Sequence, residues 1–332
     1  MSGLTVGGGI VGLTTALMLH RSGIEVAVYE EALKIKELGV GLNLLPRSVK
    51  HLIGLGLQAT LDDNAIRTGE LRFFCKKGKS IWREPQGLEA GYEDQGDPQF
   101  AGLMLWRGAT VCDPFLSSRT MIMAGHNDQK VVIYPISNPD ESGKQLINWV
   151  AESRVPLDTI LRDDWNNEGH LEAFADRFED WKFDWLDISN LFQHAGKICK
   201  FPMVDRDPVK QWSFDRVTLA GDAAHAMCPN GSNGASQGIL DAVSLARHLS
   251  AHENVATAFK KYEEERLPPT SRLVFDNRKT GPERVLQLVE ERCVGQCGDE
   301  HVCVAQAELG EIAQAYKKLA GFDKSSVNRD VS

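Results

Sequence analysis

The stretch Leu4–Gly12, with the sequence LTVGGGIVG, decides the fold of this chain. A short apolar strand enters a glycine-rich turn, and apolar residues at helical spacing follow until Gly23. In the pattern Gly7-x-Gly9-x-x-Gly12, the first glycine permits a tight turn and the second lets the backbone approach a pyrophosphate. The third glycine lets the helix pack closely on the strand. The stretch therefore predicts a strand, turn and helix that bind a dinucleotide.

A second strand, predicted over residues 24–29, completes a βαβ unit. Its apolar and β-branched residues are typical of a buried parallel strand. Glu30 follows this strand, 18 residues after Gly12. A carboxylate at this position accepts hydrogen bonds from the hydroxyls of an adenosine ribose and repels a 2′-phosphate. A glycine-rich turn that binds nothing is the alternative interpretation of the motif.

A second strand-to-helix turn lies far along the chain. A buried strand predicted over 217–220 runs into residues 221–225 (GDAAH), and residues 229–234 read PNGSNG. Asp222 is expected at the sheet edge where open α/β sheets bind ligands, although helix capping is its alternative role. Backbone N–H groups around Ser232, at the start of the next helix, would face a flavin ring where negative charge collects on reduction. The two turns together favour FAD, with the first at the diphosphate and Asp222 at the ribityl hydroxyls.

Composition narrows the class of protein and of partner. The chain has 332 residues, of which 42% are hydrophobic and 25% charged, enough for a large core and two joined domains. Its net charge of −9 and the lack of a basic stripe predict a small-molecule partner rather than a nucleic acid. Glycines interrupt the apolar N-terminus, so we expect neither a signal peptide nor a membrane span.

Cysteine usage predicts a cytoplasmic protein without a metal site. The seven cysteines are an odd number and mostly scattered, which suits reduced thiols. Near the C-terminus, Cys293, Cys297, His301 and Cys303 follow no standard zinc spacing.

The middle of the chain predicts an inserted, largely antiparallel sheet. The tetrapeptide 76–79 (KKGK) separates the strands 70–74 and 80–84 of a hairpin. Further strands are predicted at 104–109, 120–124, 131–136, 146–151 and 198–202, and helices at 163–177, 185–192, 256–266, 284–291 and 305–319. The resulting fold class is α/β, a Rossmann-like FAD-binding domain that carries this sheet as an insertion and ends in a helical region. Its predicted parts are 1–69 and 205–250 for the FAD-binding domain, 70–204 for the substrate domain and 251–332 for the helical region.

The motifs resemble those of a known family. The Gly7 turn, residues 39–44 (GVGLNL) and residues 221–234 are similar to class A flavoprotein aromatic hydroxylases, the group that contains para-hydroxybenzoate and salicylate hydroxylases. Four shorter segments look like the branch with the phenazine-modifying flavin monooxygenase, namely 105–108, 120–123, 134–137 and 202–208. The resemblance implies that FAD is held by Gly7, Gly9, Gly12, Glu30, Val40, Gly41, Asp222, Pro229, Gly231, Ser232, Asn233 and Gly234.

The resemblance has one large gap, an apparent deletion near 100/101. After a segment like 98–100, family members carry a helix with an FAD-contacting arginine, further strands and an Asp-Gly motif near the cofactor. Here Phe100 runs directly into Ala101, so about 60 to 80 residues are missing, more than a minimal βαβ unit. The loss of a central strand predicts exposed apolar surface, unpaired strand edges and weaker FAD binding. It also accounts for the long loop predicted at 85–102, because loops of this length are uncommon in compact domains.

The activity implied by the resemblance is hydroxylation of an aromatic small molecule, with secondary metabolism as the expected setting. NADPH or NADH would reduce FAD, and O2 would supply the hydroxyl group, so that the cofactor carries the chemistry and no catalytic side chain is assigned. Pro229 and Asn230 are expected beside the flavin ring. Candidates for the substrate pocket, each of which could equally be core, are Met104, Trp106, Met121, Met123, Tyr134 and Trp149.

Three alternatives stay open at this point. An internally truncated, impaired or inactive homologue would act at most as a binding protein. A plain NAD dehydrogenase would leave the segment 221–225 without a role. A flavin-dependent halogenase would need a Trp-x-Trp-x-Ile motif, which the sequence lacks.

Overall fold

The first glycine turn forms the predicted βαβ unit. The structure is a computed structural model that describes residues 2–32, 44, 46–66, 70–85, 103–156, 167–203, 205–228, 233–278, 283–293 and 304–319. Strand β1 (Ser2–Val6) and strand β2 (Glu25–Tyr29) pair in parallel, and helix α1 (Ile10–Arg21) connects them. Gly7 has a φ of 103°, which favours glycine, and a Cβ on Gly12 would overlap the Gly7 carbonyl oxygen.

Two short helices follow and lead toward the second half of the chain. They are α2 (Pro46–Gly54) and α3 (Gln58–Asn64). The buried Ser48 hydroxyl on α2 donates to the Ser236 carbonyl oxygen at 3.1 Å. This bond ties the first part of the chain to the helix that follows the second glycine turn.

The predicted antiparallel sheet is confirmed and has eight strands in the order β4-β3-β6-β7-β8-β5-β12-β9. Neighbouring strands are antiparallel except β3 and β6, which are parallel. The strands are β3 (Glu70–Phe74), β4 (Ser80–Pro85), β5 (Leu103–Cys112), β6 (Thr120–His126), β7 (Gln129–Pro135), β8 (Gln145–Arg154), β9 (Asn167–Glu168) and β12 (Ile198–Pro202).

Both faces of this sheet are buried. One face, here called face one, packs on α8 (Arg284–Arg292) and α9 (Gln306–Leu319). The opposite face, face two, packs on an aromatic cluster that includes Phe174, Phe178 and Phe192. Side chains alternate between the two faces along each strand, as the period of a β-strand requires.

The helix predicted over 163–177 is wrong for the described residues 167–177. These form β9 and two short 3-10 turns at 171–173 and 175–178. Phe174 and Phe178 are completely buried beneath face two, and tertiary packing of this kind overrides a helix propensity. The chain continues through β10 (Lys182–Phe183), β11 (Leu186–Asp187) and α4 (Ile188–Gln193), the last of which confirms the helix predicted near 185–192.

The C-terminal part is helical, as predicted, but its entry differs from the prediction. The buried parallel strand predicted at 217–220 is instead β14 (Val217–Thr218), which pairs antiparallel with β13 (Ser213–Phe214). Val217 is 62% exposed, and no described strand joins β14 to β1. The helices that follow are α5 (Asp222–His225), α6 (Asn233–Ala251) and α7 (Val255–Asn277), then α8 and α9.

Candidate flavin site

The first glycine turn carries an anchored carboxylate beside open space. Glu30 accepts hydrogen bonds from the backbone N–H of Ala32 at 3.0 Å and of Gly8 at 2.6 Å. These bonds hold the pKa of Glu30 below its usual value, so the carboxylate is ionised at neutral pH. A Cβ added to Gly7 or Gly9 would meet no atom within 4 Å. The turn therefore leaves room for a diphosphate and places Glu30 next to that room.

The second glycine turn presents a carboxylate at the start of a long helix. Gly221 has a φ of 60°, a conformation that favours glycine, and it precedes α5. The Asp222 side chain is exposed, and its Oδ1 lies 3.7 Å from where a Cβ on Gly234 would be. Asp222 thus stands beside the N-terminus of α6, whose N–H groups and dipole favour an anionic partner.

The two turns meet through Val11 on α1. The Val11 side chain occupies the space that a Cβ would need on Gly221 and on Gly238 of α6. These two glycines therefore let the first turn of α1 pack directly on α5 and α6. The contact brings the two turns together although β1 and β14 belong to different sheets.

Several residues of the predicted FAD site are not among the described residues. Val40, Gly41, Pro229, Gly231 and Ser232 lie outside the described residues, as does Asn230, and only the backbone of Asn233 is described.

Sequence analysis missed a buried ionic cluster behind the second turn. Asp241 on α6 is 0% exposed and accepts hydrogen bonds from His225, Gly221 and Arg266. Its signal in the sequence is a carboxylate within the apolar run 239–243 (ILDAV), since a charged residue in the buried face of a helix needs partners.

The six substrate-pocket candidates divide between the two faces of the large sheet. Three of them, Met104, Trp106 and Trp149, lie on face two in a packed aromatic core. The Trp106 ring stacks on Phe174 with centroids 5.0 Å apart, and Trp149 Nε1 donates to Thr110 Oγ1 at 3.1 Å. The structure therefore does not bring all six candidates into one pocket.

The other three candidates lie on face one, which also contacts the second half of the chain. Met121, Met123 and Tyr134 pack in the cluster that includes Met203 and Cys228. Cys228 immediately precedes the segment 229–232 and so connects face one with the second glycine turn.

Polar groups interrupt the apolar surface of face one. Asn148 is opposite Tyr134 in the register of β7 and β8, and Arg107 is opposite Val150 on β5. Burial raises the pKa of the Tyr134 phenol, although a hydrogen bond and the charge of Arg107 act in the opposite direction. Face one therefore combines apolar side chains with a guanidinium, a phenol and an amide.

The predicted exposure of apolar surface around β1 is confirmed. Leu4 is 62% exposed, Val6 80% and Tyr29 60%, and the register of β1 and β2 places these side chains on one face. On α1, Ile10, Leu13 and Leu17 are also exposed. Parallel strands are normally covered on both faces, so among the described residues β1 and β2 lack neighbours that such a sheet usually has.

A dinucleotide turn, a carboxylate at a second helix N-terminus and a large antiparallel sheet are typical of FAD-binding flavoproteins. Residues 120–276 match the family described as FAD binding domain. The chain is 34% identical to phenazine 1,6-dicarboxylic acid hydroxylase from Lysobacter antibioticus, with 82% of this chain and 88% of that protein covered. It is 26% identical to 3-hydroxybenzoate 6-hydroxylase from Polaromonas naphthalenivorans, with 84% and 86% covered.

A solved structure of a salicylate hydroxylase substrate complex has the same fold. The TM-score is 0.66 at 17% identity, and the match covers 100% of this chain and 99% of that one. This chain belongs to the family of FAD-dependent aromatic hydroxylases. The comparisons give no support to the alternative of an inactive remnant.

The alignment with the phenazine hydroxylase contains positions that this chain lacks. The alignment with the phenazine hydroxylase is 357 residues long, but 82% of this 332-residue chain amounts to about 272 residues. About 85 positions of that alignment therefore have no residue from this chain. The predicted deletion point itself, between Phe100 and Ala101, lies outside the described residues.

The described ranges contain neither a candidate membrane span nor a candidate metal site. None of the helices described is long and apolar enough to cross a membrane. Within the same ranges, no three His, Cys, Asp or Glu side chains are grouped so that they could hold a metal ion.

Proposed function

We propose that this protein uses FAD, NADPH or NADH, and O2 to hydroxylate an aromatic acid. The observation that supports the proposal most strongly is the contact of the two glycine turns at Val11, which would bring a diphosphate site next to a ribityl-binding carboxylate. When bound and reduced, FAD supplies the activation of O2. The protein's own residues bind the cofactor, orient the substrate and exclude water.

Each end of FAD has a suitable partner among the described residues. The open turn at Gly7 and Gly9 takes the diphosphate, and the ionised Glu30 accepts from the adenosine ribose. Asp222 accepts from the ribityl hydroxyls, and the start of α6 faces the part of the ring that becomes negative on reduction. These assignments agree with the chemistry of the groups and need no metal or nucleophile.

Face one of the large sheet is the proposed substrate surface. Met121 and Met123 would contact an aromatic ring, while Arg107 and Tyr134 would bind its carboxylate, because a guanidinium pairs well with that group. The phenazine and hydroxybenzoate hydroxylases among the relatives act on acids by name, which supports this choice. Met104, Trp106 and Trp149 are then core residues that stiffen the sheet from behind.

The cytoplasm is the proposed place of action. The five cysteines that the structure describes, Cys75, Cys112, Cys199, Cys228 and Cys293, form no disulfide with one another, which suits a reducing compartment. The net charge of −9 supports a small-molecule partner rather than a nucleic acid.

The test is turnover of purified, FAD-loaded protein with NADPH or NADH. Phenazine-1,6-dicarboxylic acid and 3-hydroxybenzoate serve as probes, with the neutral ring compounds phenazine and phenol as matched controls. We expect a hydroxylated acid whose new oxygen comes from labelled O2, and a KM that rises at least about tenfold in Arg107→Gln, because about 1.4 kcal/mol corresponds to tenfold. Reduction of FAD without a hydroxylated product from any probe would contradict the proposal.

A further inference from the structure

Asp241 forms a buried cluster with Gly221, His225 and Arg266 that contacts with the cofactor alone do not explain. Asp241 Oδ2 accepts from His225 Nε2 at 2.6 Å and from the Gly221 backbone N–H at 2.9 Å. Its Oδ1 accepts from Arg266 Nε at 2.8 Å. Asp241, His225 and Arg266 are all buried, so these donors replace the water that an ionised carboxylate would otherwise need.

The cluster keeps Asp241 ionised. Burial by itself would raise the pKa of Asp241, but the charges of His225 and Arg266 and the hydrogen bonds from His225 and Gly221 outweigh it, so the pKa lies below its usual value. Arg266 is fixed in turn, because its second terminal nitrogen donates to Gln237 Oε1 at 2.7 Å and to the Gln237 carbonyl oxygen at 3.1 Å. The carboxylate is therefore held in one orientation.

Asp241 holds both ends of the short segment that contains Asp222. Gly221 directly precedes Asp222, and His225 is the last residue of α5. A helix of four residues is not stable by itself, since helix nucleation is unfavourable. The orientation of Asp222 thus depends on contacts outside α5, and Asp241 makes such contacts at each end.

We propose that Asp241 is a positioning residue, which acts through Gly221 and His225 to hold Asp222 where it binds the ribityl chain of FAD. The proposal rests on the assigned FAD site, but Asp241 itself does not touch the cofactor. The exposed Asp222 carboxylate is the group that makes contact, and the buried Asp241 carboxylate fixes the backbone that carries it.

The test separates the two ends of the cofactor with two ligands. ADP reaches the Gly7 turn and Glu30 but has neither a ribityl chain nor a flavin ring, so its affinity does not depend on Asp222. In Asp241→Asn, calorimetric titration should show FAD affinity lowered about tenfold or more and ADP affinity within about twofold of wild type, where tenfold is about 1.4 kcal/mol. Asp222→Ala is the reference variant and should likewise lose FAD affinity while it keeps ADP affinity.

Two results in Asp241→Asn would overturn the proposal. Equal losses for FAD and ADP would assign Asp241 a general structural role and overturn the proposal, and so would unchanged FAD affinity. Because Asp241→Asn leaves the buried Arg266 charge less well paired and so destabilises the fold, His225→Gln provides a second variant that keeps the ion pair between Asp241 and Arg266. His225→Gln should also lower FAD affinity more than ADP affinity, with a smaller loss than in Asp241→Asn. Equal losses of affinity for the two ligands, or no loss, would overturn the proposal as well. Wild type that binds ADP but not FAD would refute the FAD site itself, which distinguishes that failure from a failure of the positioning role.

Discussion

The eight-stranded sheet and the β1–β2 pair are both built from apolar strands, yet only the large sheet is covered on both faces. Ile133, Ile147 and Trp149 in the large sheet are fully buried, whereas Leu4 and Val6 in β1 face solvent. Full burial of a valine or leucine side chain stabilises the folded state by roughly 1.5–3 kcal/mol. Because Leu4 and Val6 are exposed, β1 lacks much of this stabilisation. The burial of a strand is therefore set by its neighbours in the fold as well as by its own sequence.

About 85 positions of the alignment with the phenazine hydroxylase have no residue in this chain. Among the described strands, β1 and β2 pair only with each other, whereas every inner strand of the large sheet has a paired neighbour on each side. The two glycine turns still meet, because helix packing at Val11 joins them without a continuous sheet.

The largest expected effect is a cavity in the large sheet. Trp149→Ala removes a fully buried side chain from face two, and such truncations cost about 3–5 kcal/mol. FAD affinity per folded molecule should be unchanged, because the residue lies on the face away from Cys228. Urea unfolding and FAD titration measure the two effects, and a weakened FAD affinity would place Trp149 in the site instead.

A smaller effect is expected where the two turns meet. Gly238→Ala adds a methyl group that overlaps Val11, and overpacking of this kind costs about 1–3 kcal/mol. It should separate α1 from α6 and weaken FAD binding, while the tryptophan signal of the large sheet in near-UV circular dichroism stays intact. Val11→Ala in the same chain should restore binding. Gly54→Ala is the matched control, since its added Cβ would only approach the end of the Arg21 side chain.

The buried cluster of Lys130, Glu152 and Glu283 on the large sheet predicts a pH effect. Burial and the neighbouring Glu283 raise the pKa of Glu152 to about 7, against the attraction of Lys130. Between the usual carboxyl pKa and about 7, the folded state therefore holds more protons than the unfolded state, so the free energy of unfolding falls as pH rises through this window.

Glu152→Gln removes this titration and keeps an acceptor for Lys130, whose Nζ lies 3.0 Å from the Glu152 carboxylate. The fall in the free energy of unfolding between pH 5 and pH 7 should become shallower, by about 1–3 kcal/mol over these two pH units. Urea unfolding at both pH values measures it. An identical pH slope in wild type and variant would contradict the assignment.

The smallest effect is expected on β1. Val6→Thr changes an exposed side chain and should alter the free energy of unfolding by less than about 0.5 kcal/mol. Val131→Thr, at a fully buried position of β7, places a hydroxyl in an apolar core and should cost about 1–3 kcal/mol. Equal effects of the two substitutions would mean that β1 is covered in solution.

Much of this fold could be predicted because its signals are local. The alternation of apolar residues predicted the strands around Met123 and Trp149, and the glycine spacing predicted the first turn. Alternation alone does not say which residues share a face with the cofactor, so the sequence grouped Trp149 with Met123 although they lie on opposite faces.

The features that escaped prediction depend on distant partners. The strand expected after Phe214 needs a neighbour beside β1, and without one it folds back as a hairpin. The role of Asp241 on α6 is visible only once His225 on α5 and Arg266 on α7 contact it. Contacts of this kind follow from tertiary structure, which local pattern does not contain.

We expect the two glycine turns to form one FAD site, although about 85 positions of the alignment with the phenazine hydroxylase have no residue in this chain. Titration of the purified chain with FAD, followed by quenching of flavin fluorescence, tests it most directly. We predict one FAD per chain in wild type and a loss of binding of about tenfold or more in Asp222→Ala, equal to about 1.4 kcal/mol. Absence of FAD binding in wild type, or binding that Asp222→Ala leaves unchanged, would contradict the account.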